Sequence, residues 1–179
     1  MANSAPASTL EVRRLRAVTD AQLQELADVL IDCVEGGASV SFMQPMTRDK
    51  ALAFWRKVAD GVERGERALL VAEDAQGIVG TVQVVLDQPE NQPHRADVSK
   101  MLVHRRARRQ GAGAALMRTA EREASAEGKT LLVLDTADAT AARLYARMGW
   151  QAAGTIPRYA LLPAGGECAT TFYYRSLVD

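Results

Sequence analysis

Apolar positions along the chain follow two periods, one near two residues and one near three and a half, and their succession predicts the elements in order. Leu10 to Val18 alternates loosely, as a strand does. Thr19 or Asp20 can then cap a helix carrying Leu23, Leu26, Ala27, Leu30, Ile31 and Val34 on one face, with Gly36-Gly37 as its end. Ala38 to Pro45 has neither period; Phe42 and Met43 in this loop either line a cleft or plug the core between two helices. Thr47 and Gly65 bound a second helix. Two strand-like runs between Ala68 and Leu86 flank Asp74-Ala75-Gln76-Gly77, a hairpin signal. Asp87 to His94, with Pro89 and Pro93, is a loop, and Arg95 to His104 returns to strand period. Its alternation puts Asp97, Ser99, Met101 and Val103 on one face unless a bulge intervenes.

A third helix is predicted from Gly111 to Gly128, with Leu116, Met117, Ala120 and Ala124 at helical spacing. Thr130 to Leu134 is a short continuous apolar run, suited to a strand covered on both faces, and Asp135-Thr136 closes it. Ala141, Leu144, Tyr145 and Met148 are spaced as on a helix ahead of Gly149, a C-terminal cap. Trp150 to Leu162 and Cys168 to Leu177 read as two closing strands joined by Pro163-Ala164-Gly165-Gly166. The order is that of an α/β domain with a mixed, mostly antiparallel sheet of about seven strands and four helices. Residues 1–9, small and polar, are expected to be a flexible tail, and residues 10–179 a single domain.

Charge narrows the partners. The 179 residues carry 22 basic and 22 acidic side chains, so no bulk charge draws the chain to nucleic acid. No apolar run is long enough to span a bilayer, and Met1 to Thr9 lacks the basic and apolar regions of a signal peptide, so a soluble, cytoplasmic protein is expected. Cys33 and Cys168 lie far apart without metal-type spacing and read as buried free thiols. His94 and His104 are expected at exposed, non-catalytic positions, and no metal site is expected.

Chemistry concentrates between Val98 and Gly113, where a strand ends in a basic, glycine-containing turn that opens a helix. The first amides of a helix lack internal partners and suit an anion; Gly111 and Gly113 permit close approach, and Arg105, Arg106, Arg108 and Arg109 add guanidiniums suited to phosphate. A phosphate-bearing ligand is the reading. The Gly-Lys-Ser/Thr ending of an ATP loop is missing, and Leu116 stands where a dinucleotide fingerprint needs glycine. The alternative is an ordinary strand-to-helix turn with surface arginines.

Arg108-x-x-Gly111-x-Gly113, following Met101-Leu102-Val103, resembles the pyrophosphate loop of the Gcn5-related N-acetyltransferases (GNAT family), and Leu144-Tyr145-Ala146-Arg147-Met148-Gly149-Trp150 resembles that family's second motif. The resemblance implies the GNAT fold, acetyl-CoA as cosubstrate, and a fourth and fifth strand that splay apart around it. It further implies that the backbone of Met101, Leu102 and Val103 holds the pantetheine, while Arg108, Arg109, Gln110, Gly111, Ala112 and Gly113 cradle the pyrophosphate. Tyr145 would be the acid that protonates the departing thiolate; its plain alternative is a core aromatic. Gly36 to Val40, Arg95 to Val98, Leu134 to Thr136, Ile156 to Tyr159 and Thr171 to Tyr174 resemble the tabtoxin-resistance branch, whose members N-acetylate an amino-acid-type β-lactam toxin. In that branch Asp97 and Asp135 match carboxylates that accept the amine proton, though either can instead be structural. The expected activity is direct acetyl transfer to a small-molecule amine, by a monomer or homodimer. Another amine, such as an amino acid, polyamine, antibiotic or protein terminus, is the alternative acceptor; a non-catalytic CoA-binding sensor is the alternative class.

Overall fold

The first helix begins where side chains satisfy its orphan amides. In the computed structural model, which describes residues 10–178, the Gln22 amide donates to Thr19 Oγ1 while the Thr19 amide donates to the Gln22 side chain, and α1 runs Asp20–Glu35. Thr47 likewise accepts from the Lys50 amide at the start of α2, Arg48–Glu63. The tail expected at residues 1–9 lies outside the described residues.

The strands are β1 (Glu11–Leu15), β2 (Arg67–Asp74), β3 (Gly77–Val85), β4 (Arg95–Val103), β5 (Leu131–Thr136), β6 (Gln151–Leu161) and β7 (Glu167–Ser176); α3 (Ala112–Ala126) and α4 (Ala139–Arg147) flank β5 in sequence. All seven form one sheet in the order β1-β2-β3-β4-β5-β7-β6. Only β4 and β5 pair in parallel, because α3 crosses between them; the other neighbours are antiparallel. β1 stops at Leu15, short of the expected Val18, because the chain turns there into the Thr19 cap.

Alternation along the central strands divides the core in two. Leu69 and Val71 join Leu26, Leu30 and Trp55 under α1 and α2, while Leu70, Val82 and Leu132 meet Leu116, Met117, Tyr145 and Trp150 under α3 and α4. Each fully buried Leu adds roughly 1.5–3 kcal/mol. The two layers hold the sheet between them, and the site forms where one strand pair opens.

That opening has two causes. β4 and β5 pair only along Arg95 to Asp97 and Leu131 to Val133, then part. Against β3, moreover, β4 takes three steps, from Leu102 to Ser99, where β3 takes two, from Thr81 to Gln83. This is a β-bulge, with Lys100 in the left-handed region at φ +52°. The extra residue reverses the parity of the strand. Ala96 and Val98 face α3 before the bulge; after it Met101 and Val103 do, and Leu102 packs under α1 and α2. Asp97 and Ser99 therefore lie on the face opposite Met101 and Val103, correcting the shared face that simple alternation predicts. β5 also differs from expectation: Leu132 and Leu134 are buried, but Leu131 and Val133 are half-buried and Asp135 is exposed, because its other face borders the opening.

Candidate active site

The floor of the opening is the free edge of β4. The His104 amide donates to Val79 O at 2.8 Å, so in an antiparallel ladder Leu102 also directs its backbone groups toward β3, opposite Thr81. Met101 and Val103, between them, turn theirs to the open side. Val103 O is engaged there by Arg108 Nε at 3.1 Å and the Cys33 thiol at 3.5 Å. Of the three residues expected to hold an extended ligand by backbone, Met101 and Val103 have the orientation for it.

The turn after β4 is pinned before it reaches the helix. A short 3₁₀ turn, Arg105–Ala107, starts at His104, whose Nδ1 accepts from the Arg106 amide at 3.2 Å. The Arg105 amide and Nε both donate to the Asp32 carboxylate at 2.8 Å, and Arg106 pairs with Asp74. Burial works against the Asp32 charge, but the Arg105 amide and guanidinium outweigh it and hold the carboxyl below its usual range. Two of the four expected phosphate-facing arginines are thus spent on tying the turn to α1 and to the β2–β3 hairpin, while Arg108 and Arg109 stay exposed on the loop. His104 is half-buried rather than exposed, because the same turn folds it within 3.6 Å of Asp32; His94 is exposed as expected.

At the start of α3 no side chain caps the helix. Gly111 occupies the N-cap at φ +85°, a conformation that disfavours any residue with a Cβ. Gly113 answers a different need: a Cβ there would sit 3.2 Å from Leu144 Cδ2 and 3.7 Å from Met101 Sδ. One glycine turns the chain; the other lets the helix start press against α4 and β4. The first helical bond runs from the Ala115 amide to Gly111 O, so the Ala112, Gly113 and Ala114 amides are the orphan donors. Together they carry roughly half a positive charge next to Arg108 and Arg109. This arrangement fits the pyrophosphate of a coenzyme A molecule.

Tyr145, on α4, packs in the core layer under α3 and α4. Asp138 caps α4, accepting from the Thr140 and Ala141 amides at 2.5 and 3.0 Å. The tyrosine is 4% exposed, with its ring centroid 6.0 Å from Trp150 and 5.9 Å from Tyr173. Trp150 is itself fixed by a 2.8 Å bond from Nε1 to Glu121. Burial, with the charges of Asp138 and Asp135, pushes the phenol up, so at neutral pH it holds its proton.

The two aspartates share the opposite face but not the same surroundings. Asp97 lies where β4 and β5 are still paired, and both its oxygens are engaged, by Arg95 Nη1 at 2.5 Å and Gln88 Nε2 at 3.0 Å. Asp135 lies beyond the fork, exposed, with one 3.1 Å bond from Thr170 Oγ1. Tyr145 and Asp135 therefore lie on opposite faces of the sheet.

The loop between α1 and α2 walls the Asp135 side. The Gln44 amide donates to Pro163 O at 2.9 Å, and Ser39 Oγ to Leu161 O at 3.4 Å, tying this loop to the β6–β7 hairpin. Phe42 is half-buried against the Phe54 ring at 5.2 Å, whereas Met43 is exposed, so the two residues divide the roles of plug and lining. Cys33 is buried; Cys168 is only half-buried, beside Ser39, and both are free thiols. Sequence reasoning did not single out Lys100 and Ser41, joined by a 3.1 Å bond, because their meeting depends on a bulge that leaves no compositional trace.

Among the described residues no helix is long and apolar enough to cross a membrane. Residues 65–152, which run from just after α2 through the β4 edge, the glycine turn and α4 to the start of β6, match the family described as acetyltransferase (GNAT) domain. Solved structures of similar fold extend the likeness beyond that segment. An N-acetyltransferase from Staphylococcus aureus is 19% identical, with a TM-score of 0.79 over 96% of this chain and 100% of that one. The yncA protein from Salmonella typhimurium, solved with its cofactor acetyl-CoA, is 18% identical, with a TM-score of 0.78 over 95% of each chain. A GCN5-related N-acetyltransferase from Kribbella flavida is 23% identical, with a TM-score of 0.76 over 93% of this chain and 97% of that one. Residues 65–152 thus match an acetyltransferase (GNAT) domain, and the chain along nearly its whole length has the fold of solved N-acetyltransferases.

Proposed function

We propose that this GNAT-type acetyltransferase moves acetyl directly from acetyl-CoA to a primary amine of a small molecule, with Tyr145 as acid and Asp135 as base. The observation that carries the reading is an opening whose floor is the free edge of β4 and whose end is the uncapped start of α3; Asp135, exposed beyond the fork, and Tyr145, on the opposite face of the sheet, support the assignment of base and acid.

Acetyl-CoA, when bound, supplies an acetyl group activated as a thioester. The Gly111 turn presents the Ala112 and Gly113 amides to the pyrophosphate, with Arg108, Arg109 and Gln110 around it, and Met101 and Val103 offer backbone groups to the pantetheine. Asp135 takes a proton from the incoming ammonium, directly or through water, and passes it to solvent. The amine nitrogen then bonds to the carbonyl carbon as the carbon–sulfur bond breaks, and the nitrogen's remaining surplus proton passes to solvent, by way of Asp135 once that carboxylate has released the first. Tyr145 gives its proton to the departing sulfur and regains one from solvent. A phenol held protonated suits a donor, and an exposed carboxylate suits a base that must exchange with water.

Asp97 takes a supporting part, holding Arg95 and Gln88 at the fork. Cys33 is poorly suited to carry an acyl-enzyme: burial pushes its thiol up, and its hydrogen goes to Val103 O.

Among acceptors, the amino-acid-type β-lactam suggested by the sequence is the first to test, with a monomer or homodimer as the working unit. The test is acetyl-CoA-dependent thiol release against β-lactam amino acids, free amino acids, polyamines and an N-terminal peptide. Turnover of the β-lactam compounds alone supports the toxin-resistance reading. Turnover of another amine keeps the transferase and discards that branch. Acetyl-CoA binding without turnover of any amine favours a sensor.

A further inference from the structure

Lys100 stands at the β4 bulge with φ +52°, in a conformation that a residue with a side chain keeps only where its surroundings hold it. Those surroundings come from α2 and the loop before it. Its Nζ donates to Ser41 Oγ at 3.1 Å and lies 6.0 Å from the centroid of the Phe54 ring on α2. Ser41, in the loop between α1 and α2, is itself left-handed at φ +75°. Two strained backbone positions thus converge on one ammonium.

The ammonium has no carboxylate within ion-pair distance among the described residues. Its neighbours differ: Arg95 pairs with Asp97, Arg105 with Asp32 and Arg106 with Asp74. Lys100 is half-buried, and burial pushes its ammonium down against the more distant pull of Asp135. A cation withdrawn from water with one neutral hydrogen-bond partner is an ion pair lacking its anion. Its place indicates where that anion comes from. Lys100 shares the α1 and α2 face with Asp135, on the other side of the fork, while Tyr145 lies on the opposite face. The face between Lys100 and Asp135 is where an amine must arrive, and it carries one positive and one negative group.

We propose that Lys100, with Ser41, anchors a carboxylate of the acceptor, so that this site selects a zwitterion of amino-acid type, its carboxylate toward Lys100 and its amine toward Asp135. The assignment rests on the acetyltransferase reading above and adds a substrate class to it. Ser41 Oγ supplies a second polar contact, and the Phe42 and Phe54 rings shield the ion pair from water.

The experiment compares each L-amino acid with its own carboxamide, which keeps the amine and removes the negative charge. Two readouts are taken on wild-type protein, Lys100→Met and Lys100→Arg: thiol release with acetyl-CoA, and calorimetric binding of acid and amide to enzyme saturated with CoA. Acetyl-CoA binding by the variants reports that the cleft has folded. At least one acid should be preferred over its amide by tenfold or more in wild type. That preference should fall to within about twofold in Lys100→Met and be largely kept in Lys100→Arg. Wild-type protein that binds no acid, or binds acid and amide alike, overturns the proposal, as does a Met variant that keeps the preference. Acid-selective binding without turnover of any amine leaves the anchor and removes the transferase reading; turnover without acid preference does the reverse.

Discussion

Gly111 and Gly113 stand two residues apart, yet the same substitution should act on them through different physics. At Gly111 an added Cβ meets nothing within 4 Å, so space is not the obstacle; the φ of +85° is. Holding Ala in the left-handed region costs about 1–2 kcal/mol, so Gly111→Ala should either lose that much stability or rotate its peptide toward ordinary values. At Gly113 the φ is ordinary, and the added Cβ lies 3.2 Å from Leu144 Cδ2. That crowding costs about 1 kcal/mol, and the gain from replacing helical Gly with Ala, also up to about 1 kcal/mol, offsets it, so Gly113→Ala should be close to neutral in stability. The cofactor should distinguish them further. A rotated Gly111 peptide misdirects a donor at the helix start, and a hydrogen bond to a charged group contributes about 1.5–3 kcal/mol, or roughly 10- to 100-fold in Kd. Calorimetry with acetyl-CoA and urea denaturation measure both quantities. Acetylpantetheine, which lacks the pyrophosphate, is the control, and its use should not change in Gly111→Ala. Wild-type affinity for acetyl-CoA in that variant, or equal weakening toward acetylpantetheine, would refute the phosphate cradle.

Three further outcomes follow from the geometry. Asp135→Asn should lower kcat/KM by about 100-fold or more, whereas Asp97→Asn should cost less than about tenfold; the reverse order in steady-state kinetics would exchange their roles. Asp32 has a carboxyl held low in the folded state, so its contribution is present above the unfolded value, near 3.9, and is lost as pH falls through and below it. Asp32→Asn should therefore flatten the acid limb of stability in urea melts below about pH 5, and an unchanged limb would show that the Arg105 contact contributes little. Trp55 is fully buried with its Nε1 unpartnered among the described residues, while Trp150 Nε1 donates to Glu121. Trp55→Phe removes an unsatisfied donor and Trp150→Phe strands an acceptor, so the second should be the more destabilising by about 1–2 kcal/mol in denaturant melts; equal losses would mean that the indole bond is not the difference.

Features that depend on neighbours in the chain were legible in the sequence. Thr19 and Thr47 announce helix starts because a cap acts within three residues, and Gly149 marks a helix end for the same reason. The order of strands and helices, and with it the GNAT fold, follows from such local signals together with the two motifs. What depends on distant partners was not legible. Arg105 and Arg106 look like Arg108 and Arg109 until Asp32 and Asp74, far off in sequence, claim them. The bulge at Lys100 is one extra residue in a strand of ordinary composition, yet it separates Asp97 from Met101 and gives Lys100 its position. Asp97 and Asp135 look equivalent as strand residues; only the fork between β4 and β5 distinguishes a saturated carboxylate from an open one.

The central claim is that Tyr145 protonates the leaving sulfur across from the amine. Tyr145→Phe keeps the ring that packs on Trp150 and Tyr173 and removes only the hydroxyl. Its single-turnover acetyl transfer, measured alongside calorimetric binding of acetyl-CoA, tests the claim most directly. Turnover reduced by roughly 10²- to 10⁴-fold with wild-type acetyl-CoA affinity is the predicted result. An unchanged rate would remove Tyr145 from the chemistry, and a loss of binding equal to the loss of rate would make it a packing residue.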